Sequence, residues 1–218
     1  MSYDVTGEVG LQFFGKMIAS ISHEIKNVLA VINENAGLLE DFILMEEKGV
    51  PLNPEKLKRI STKAKEQVKR ADGIIQNMNR FAHSVDETVK TIDVIDTMEL
   101  MIKLSARFSD MFGMSFTMGS HFDPVKIETN PFLLQNVIWF CLDNIMNLAK
   151  NGDTVSIAVE QNGCDVLIRF FGISGLDGMT NCDLPAERET ILLKALNGKL
   201  QVDNGAGEIV LCLNGNKN

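Results

Sequence analysis

Apolar side chains at Phe14, Ile18, Ile21, Ile25, Val28, Ile32, Leu39 and Phe42 recur in alternating steps of three and four, and only Asn35 interrupts the seam at its own turn. A helix is the one element that gathers such positions onto a single face, and a seam of this length belongs to a coiled coil or a helical bundle. The helix should run from about Val9 to Glu47, because Gly49-Val50-Pro51 favours a turn. Asn53-Pro54 then starts a second helix, with Asn as N-cap and Pro at the first helical position. Its stripe of Leu57, Ile60, Ala64, Val68, Ala71, Ile75 and Met78 reaches Phe81, flanked by Lys56, Arg59, Lys63, Lys69 and Arg70. Two long helices joined by a short turn are antiparallel neighbours, and one hairpin cannot cover both of its own stripes. Pairing of two copies into a four-helix bundle is the simplest remedy.

Beyond the hairpin the pattern changes. His83 to Thr91 is polar and charged, which suits a linker. A helix from about Val94 to Phe112 precedes strand-like stretches at Ser115 to Met118 and Val125 to Glu128, then a strongly apolar helix from Pro131 to Ala149. Thr154 to Val159 and Val166 to Phe171 read as strands around Gln161-Asn162-Gly163. A helix near Ala186 to Leu196 and a hairpin, Lys199 to Val202 and Glu208 to Leu213 around Asn204-Gly205, close the chain. The expected class is α+β, with a helical hairpin over 1–84 and a second domain over 92–218, an ordinary domain size.

The chain has 218 residues, 45% of them hydrophobic, enough for true cores. Its net charge of −8, with basic residues concentrated only between Lys56 and Arg70, lacks the electrostatic footprint of a nucleic-acid binder. That basic helix face is solvated by default and otherwise suits an acidic protein partner. No uninterrupted apolar run reaches about eighteen residues, and Met1 to Glu8 lacks the basic start and apolar core of a secretory signal. These features lead us to expect a cytoplasmic protein with no membrane contact. Cys141, Cys164, Cys182 and Cys212 lie far apart without C-x-x-C spacing, so they read as reduced, buried or semi-buried hydrophobes instead of metal ligands or disulfides.

One imidazole stands out. His23 falls two residues past the seam position Ile21, so it projects from the outward face of the first helix with Asn27 one turn further on. Taken alone, an exposed histidine is more often merely solvated. Its setting is more specific: Ser22-His23-Glu24-Ile25-Lys26-Asn27 resembles the H box of bacterial sensor histidine kinases, with Val28 where that family usually has proline and Leu29 as expected. The order of elements from Phe13 to Leu213 is similar to the same family's core, a dimerisation and phosphotransfer hairpin followed by an ATP-binding domain of the GHKL (Bergerat-like) type.

The resemblance implies a nucleotide site, and the boxes that would build it are altered. Leu142-Asp143-Asn144-Ile145-Met146-Asn147 is similar to the N box, whose asparagine holds the magnesium of ATP; Asn144 matches it, while Ile145 and Asn147 replace the small and basic residues that follow. Where the family has D-x-G-x-G-I, this chain has Phe171-Gly172-Ile173-Ser174-Gly175-Leu176, so Phe171 replaces the adenine-binding aspartate and Ile173 a glycine, and only Gly175 remains. Asp177 to Ala186 holds no glycine-rich lid of the kind whose backbone N–H groups cradle a triphosphate.

An H box without an ATP site implies a histidine phosphotransferase of a phosphorelay, with His23 Nε2 as nucleophile and phosphoryl carrier. In this reading Glu24 orients the ring, and Asn27 orients water for dephosphorylating the partner's aspartate. The chain itself would bind no metal or cofactor, and magnesium would come with the receiver domain. Receiver specificity would lie on the first helix at Lys16, Ser20 and Asn27 and on the second at Arg70, Gly73 and Asn77. Two alternatives stay open: a non-catalytic dimeric scaffold or inhibitor that binds a receiver or kinase, and, third, an active kinase with an unusual nucleotide site.

Overall fold

A computed structural model describes residues 2–119, 123–176, 187–203 and 205–214. Helix α1 (Ser2–Glu47) begins seven residues before the expected Val9, and α2 (Pro54–Ala82) follows it. Asn53 caps α2 as its sequence suggests, its Oδ1 accepting from the backbone N–H groups of Glu55 at 3.0 Å and Lys56 at 3.2 Å. The expected linker carries structure: a 3₁₀ turn over His83–Val85 and strand β1 (Lys90–Asp93).

The remaining elements are α3 (Val94–Phe112), β2 (Ser115–Met118), β3 (Lys126–Thr129), α4 (Pro131–Leu148), β4 (Thr154–Asn162), β5 (Asp165–Phe171), α5 (Glu187–Ala195), β6 (Gly198–Asp203) and β7 (Glu208–Leu213). Asp93 and Asn130 cap α3 and α4 through side-chain oxygens, and Gly113 ends α3 at a left-handed φ of 66°. Strands β2-β4-β5-β7-β6 form one mixed sheet, in which only β2 and β4 run parallel, while β1 and β3 make a separate antiparallel ladder. The β1 pairing escapes sequence reasoning because Lys90-Thr91-Ile92-Asp93 is short, mostly polar and exposed at one end.

The sheet has one buried face, built from Val155, Ile157, Val159, Val166, Ile168, Phe170, Ile209 and Leu211, and the helices α3 and α4 supply the rest of the core with Met98, Met101, Leu134, Ile138, Leu142 and Met146. Its other face is polar: Ser115 meets Thr154 at 3.2 Å, and Arg169 pairs with both Glu160 and Glu208. Cys141 is fully buried, which pushes its thiol pKa up to about 12. Cys164 is exposed in the β4–β5 turn, contrary to the expectation of burial, because a hairpin tip has nothing to pack against. Cys182, Asn204 and the segment from Asp177 to Ala186 lie outside the described residues.

The compact units do not follow a cut at the linker. Met17–Arg80 forms one unit, and Met1–Lys16 joins Phe81–Asn218 in the other. Aromatic packing explains the second grouping. Phe13 meets Phe81 edge-on at 5.4 Å and Phe132 at 5.6 Å, and Phe14 stacks on Phe81 at 5.4 Å. Phe81 is fully buried at the centre of this cluster. Phe81→Ala should destabilise the protein by about 3–5 kcal/mol, the range for emptying a buried aromatic site. Urea unfolding of the purified variant checks this, and a loss under about 1 kcal/mol would show that the cluster is peripheral to stability.

Candidate functional site

His23 sits on an exposed position of α1, half a helix length from either end, with the seam residues Ile21 and Val28 buried on the opposite side. Asn27, one turn on and also exposed, places its amide nitrogen 3.2 Å from His23 Nδ1. An amide offers a donor at one end and an acceptor at the other, and a ring nitrogen takes either role according to tautomer. As placed, the amide nitrogen donates to Nδ1, which puts the hydrogen of a neutral ring on Nε2. Turning the amide over, so that its oxygen accepts from Nδ1–H, leaves Nε2 with the free lone pair a nucleophilic imidazole needs. Sequence reasoning assigned the orienting role to Glu24 and a water-orienting role to Asn27; the structure sets Asn27 on the ring and leaves Glu24 half-buried beside it.

The six residues assigned to receiver recognition, Asn27 among them, are not all on open surface. Arg70 is exposed and Gly73 and Asn77 are half-buried on α2, whereas Ser20 is 2% exposed with its hydroxyl unpaired. Ser20 is therefore withdrawn from a docking role, since it falls on the seam side of the helix next to Ile21. Lys16 is already engaged: its Nζ lies 2.9 Å from Asp143 Oδ1, 4.6 Å from the Trp139 ring centroid and 5.5 Å from that of Phe108. Sequence carried no signal for this, because Lys16 and Asp143 are 127 positions apart.

At the altered nucleotide boxes, Asn144 donates its side-chain amide to the Phe140 carbonyl at 2.8 Å and Asn147 does the same to Asp143 at 2.7 Å. Phe171 does not fill a pocket. It is 41% exposed on the outer face of the sheet, as strand alternation requires once Phe170 points inward. Phe170, Ile173 and Leu176 are all buried. A Cβ on Gly175 would lie 2.0 Å from the Leu148 carbonyl oxygen, so glycine here lets the chain press onto the end of α4. Ser174 is tied to Asp153, donating from its hydroxyl at 2.6 Å and its backbone N–H at 3.2 Å. Among the described residues no cluster of His, Cys, Asp or Glu is arranged to hold a metal ion, and no helix is long and apolar enough to cross a membrane.

Residues 15–86 match the His Kinase A (phospho-acceptor) domain family. Among solved structures the chain is similar to the histidine kinase AdeS of Acinetobacter baumannii, at 13% identity over 89% of this chain and 98% of that one, with a TM-score of 0.50. It is also similar to the catalytic domain of histidine kinase ThkA, at 11% identity over 60% of this chain and 98% of that one, again with a TM-score of 0.50. A bacterial phosphotransferase aligns at 15% identity over 92% of this chain and 95% of that one, with a TM-score of 0.48. No curated protein matches the sequence. At these identities the structural likeness is one of fold.

The Ser174–Asp153 tie makes a titration prediction. Hydrogen bonding from the Ser174 hydroxyl, and then from the Lys150 backbone N–H, holds the Asp153 carboxyl below its ordinary value of 3.8. A depressed carboxylate contributes stability that is present above the ordinary value and lost as pH falls through the lowered one. Ser174→Ala should move the Asp153 pKa up toward 3.8, read by carboxyl NMR titration. An unchanged value would show that the hydroxyl is not the cause.

Proposed function

Because this chain joins a His Kinase A phospho-acceptor domain to the fold of a two-component histidine kinase core, we propose that it is a phosphorelay histidine phosphotransferase. His23 takes a phosphoryl group from the aspartyl phosphate of one receiver domain and passes it to the aspartate of another. In the first transfer Nε2 attacks phosphorus, the P–O bond to the aspartate breaks, and that carboxylate leaves with its electron pair. The second transfer reverses these roles, with the receiving carboxylate as nucleophile and the imidazole as leaving group.

The observation that carries this reading is the exposed His23 ring with the Asn27 amide at Nδ1; the altered nucleotide boxes of the other unit support it. Asn144, the one residue matching a magnesium ligand, has its amide on its own helix. Gly175 is closed against Leu148, and Phe170, Ile173 and Leu176 are buried. Phosphoryl transfer from ATP relies on positioning and metal-assisted charge stabilisation, and the close approach of Gly175 to Leu148 works against the first, while the helix bond of Asn144 engages its Nδ2 and not the Oδ1 that would meet a metal. Magnesium is supplied in this reading by the acidic pocket of the receiver. Arg70, Gly73 and Asn77 lie on the helix face that we assign to receiver selection.

A homodimer belongs to the same proposal. The α2 stripe is incompletely covered in one chain: Ile60 is buried, but Val68 is 49% and Ile75 41% exposed, and these two are a heptad apart. A second hairpin would cover them. Val68→Glu with Ile75→Glu should convert a dimer to a folded monomer in sedimentation velocity; a double variant that remains dimeric would place the interface elsewhere.

The transfer itself is tested with a ³²P-labelled phosphorylated receiver. Wild type should acquire acid-labile, base-stable label, His23→Ala none, and Asn27→Ala label at a rate reduced about tenfold or more, the effect of losing one orienting hydrogen bond. Receiver binding without label on the wild type would favour the scaffold reading, and labelling from ATP alone would restore the kinase reading.

A further inference from the structure

The larger compact unit contains a cavity of about 180 Å³ between the start of α1, the outer side of α4 and the start of α5. Two of its lining groups have no hydrogen-bond partner: Asn136 Nδ2, on a side chain only 3% exposed, and Glu189 Oε2. Buried polar atoms are nearly always paired, so an orphan donor and an orphan acceptor lining one cavity are an unfilled requirement. A single water, whose share of liquid volume is about 30 Å³, fills only a fraction of the space. The groups call for a molecule that offers an acceptor to the amide and a donor to the carboxylate.

The walls narrow its chemistry. Trp139 and Phe140 line the cavity, and flat aromatic walls suit a planar ring. Lys16 has its charge neutralised by Asp143 at 2.9 Å, and Glu189 adds a further carboxylate, so the lining disfavours phosphate. The volume also falls below the range of about 300–1,000 Å³ typical of sites for larger ligands. We propose that this cavity binds a small planar lactam, the N–H beside C=O edge of a guanine-type ring, with Glu189 accepting from the ring N–H and Asn136 donating to the carbonyl. The site is distinct from the altered nucleotide boxes and from His23, and its existence does not depend on the phosphotransfer reading.

Trp139 is the chain's only tryptophan, so its fluorescence reports on this cavity alone. The test titrates the full chain with guanosine, adenosine and cytidine, without metal. Guanosine should quench saturably, adenosine and cytidine at least about tenfold more weakly. Asn136→Leu, which keeps the volume and removes the donor, and Glu189→Ala should each weaken guanosine at least about tenfold, the scale of a lost buried hydrogen bond. Thermal melts identify any variant that fails to fold, and the guanosine–adenosine preference of the wild type stands independently of both. No saturable quenching overturns the proposal, as does quenching equal for the three nucleosides or unaltered in both folded variants. Binding of ATP that requires magnesium would instead overturn the reading of the altered boxes.

Discussion

A helix that is apolar on nearly every side must be covered on nearly every side, and α4 imposes that demand on the larger unit. Leu134, Val137, Ile138, Cys141, Leu142, Ile145 and Met146 are all essentially inaccessible to water, and even Trp139 is only 6% exposed. Burial of that much apolar surface, at roughly 25 cal/mol per Å², is the chief stabilising term for this half of the chain. The sheet's buried face and α3 meet only part of the requirement. The first turns of α1 meet more of it, through Phe13 against Phe132 and Lys16 over Trp139. Sixteen residues at the N-terminus thereby belong to the same compact unit as residues far along the chain.

Lys16 illustrates how one side chain answers two needs. Its stem and ammonium cover the Trp139 and Phe108 rings, and the charge is answered by Asp143. With both side chains more than a third exposed, the ion pair itself contributes little, and the aromatic coverage matters more. Arg169 plays a comparable part on the open face of the sheet, bridging Glu160 and Glu208 across three strands.

The two units differ in what their polar side chains meet. On the hairpin, an exposed imidazole carries an amide neighbour on one ring nitrogen and faces solvent. In the other unit, Asn144 donates to its own helix backbone, Gly175 allows the close approach on α4, and Ser174 is tied to Asp153.

Local pattern was enough to read the order of the elements other than the 3₁₀ turn and β1, the cap at Asn53, and the outward placement of His23 with Asn27 on its face. These follow from helical period, strand alternation and capping chemistry within a few residues. The pairing of β1 with β3, the burial of Ser20, the outward turn of Phe171 and the union of α1's first turns with the C-terminal unit were decided by tertiary structure. In each case the cause is a partner distant in sequence or a strand whose phase is set by its neighbours, as Phe170 facing the core puts Phe171 on the surface. Lys16 is the clearest instance: its charge and length suit a docking surface, and only the arrival of Asp143 and Trp139 from α4 gives it a different task.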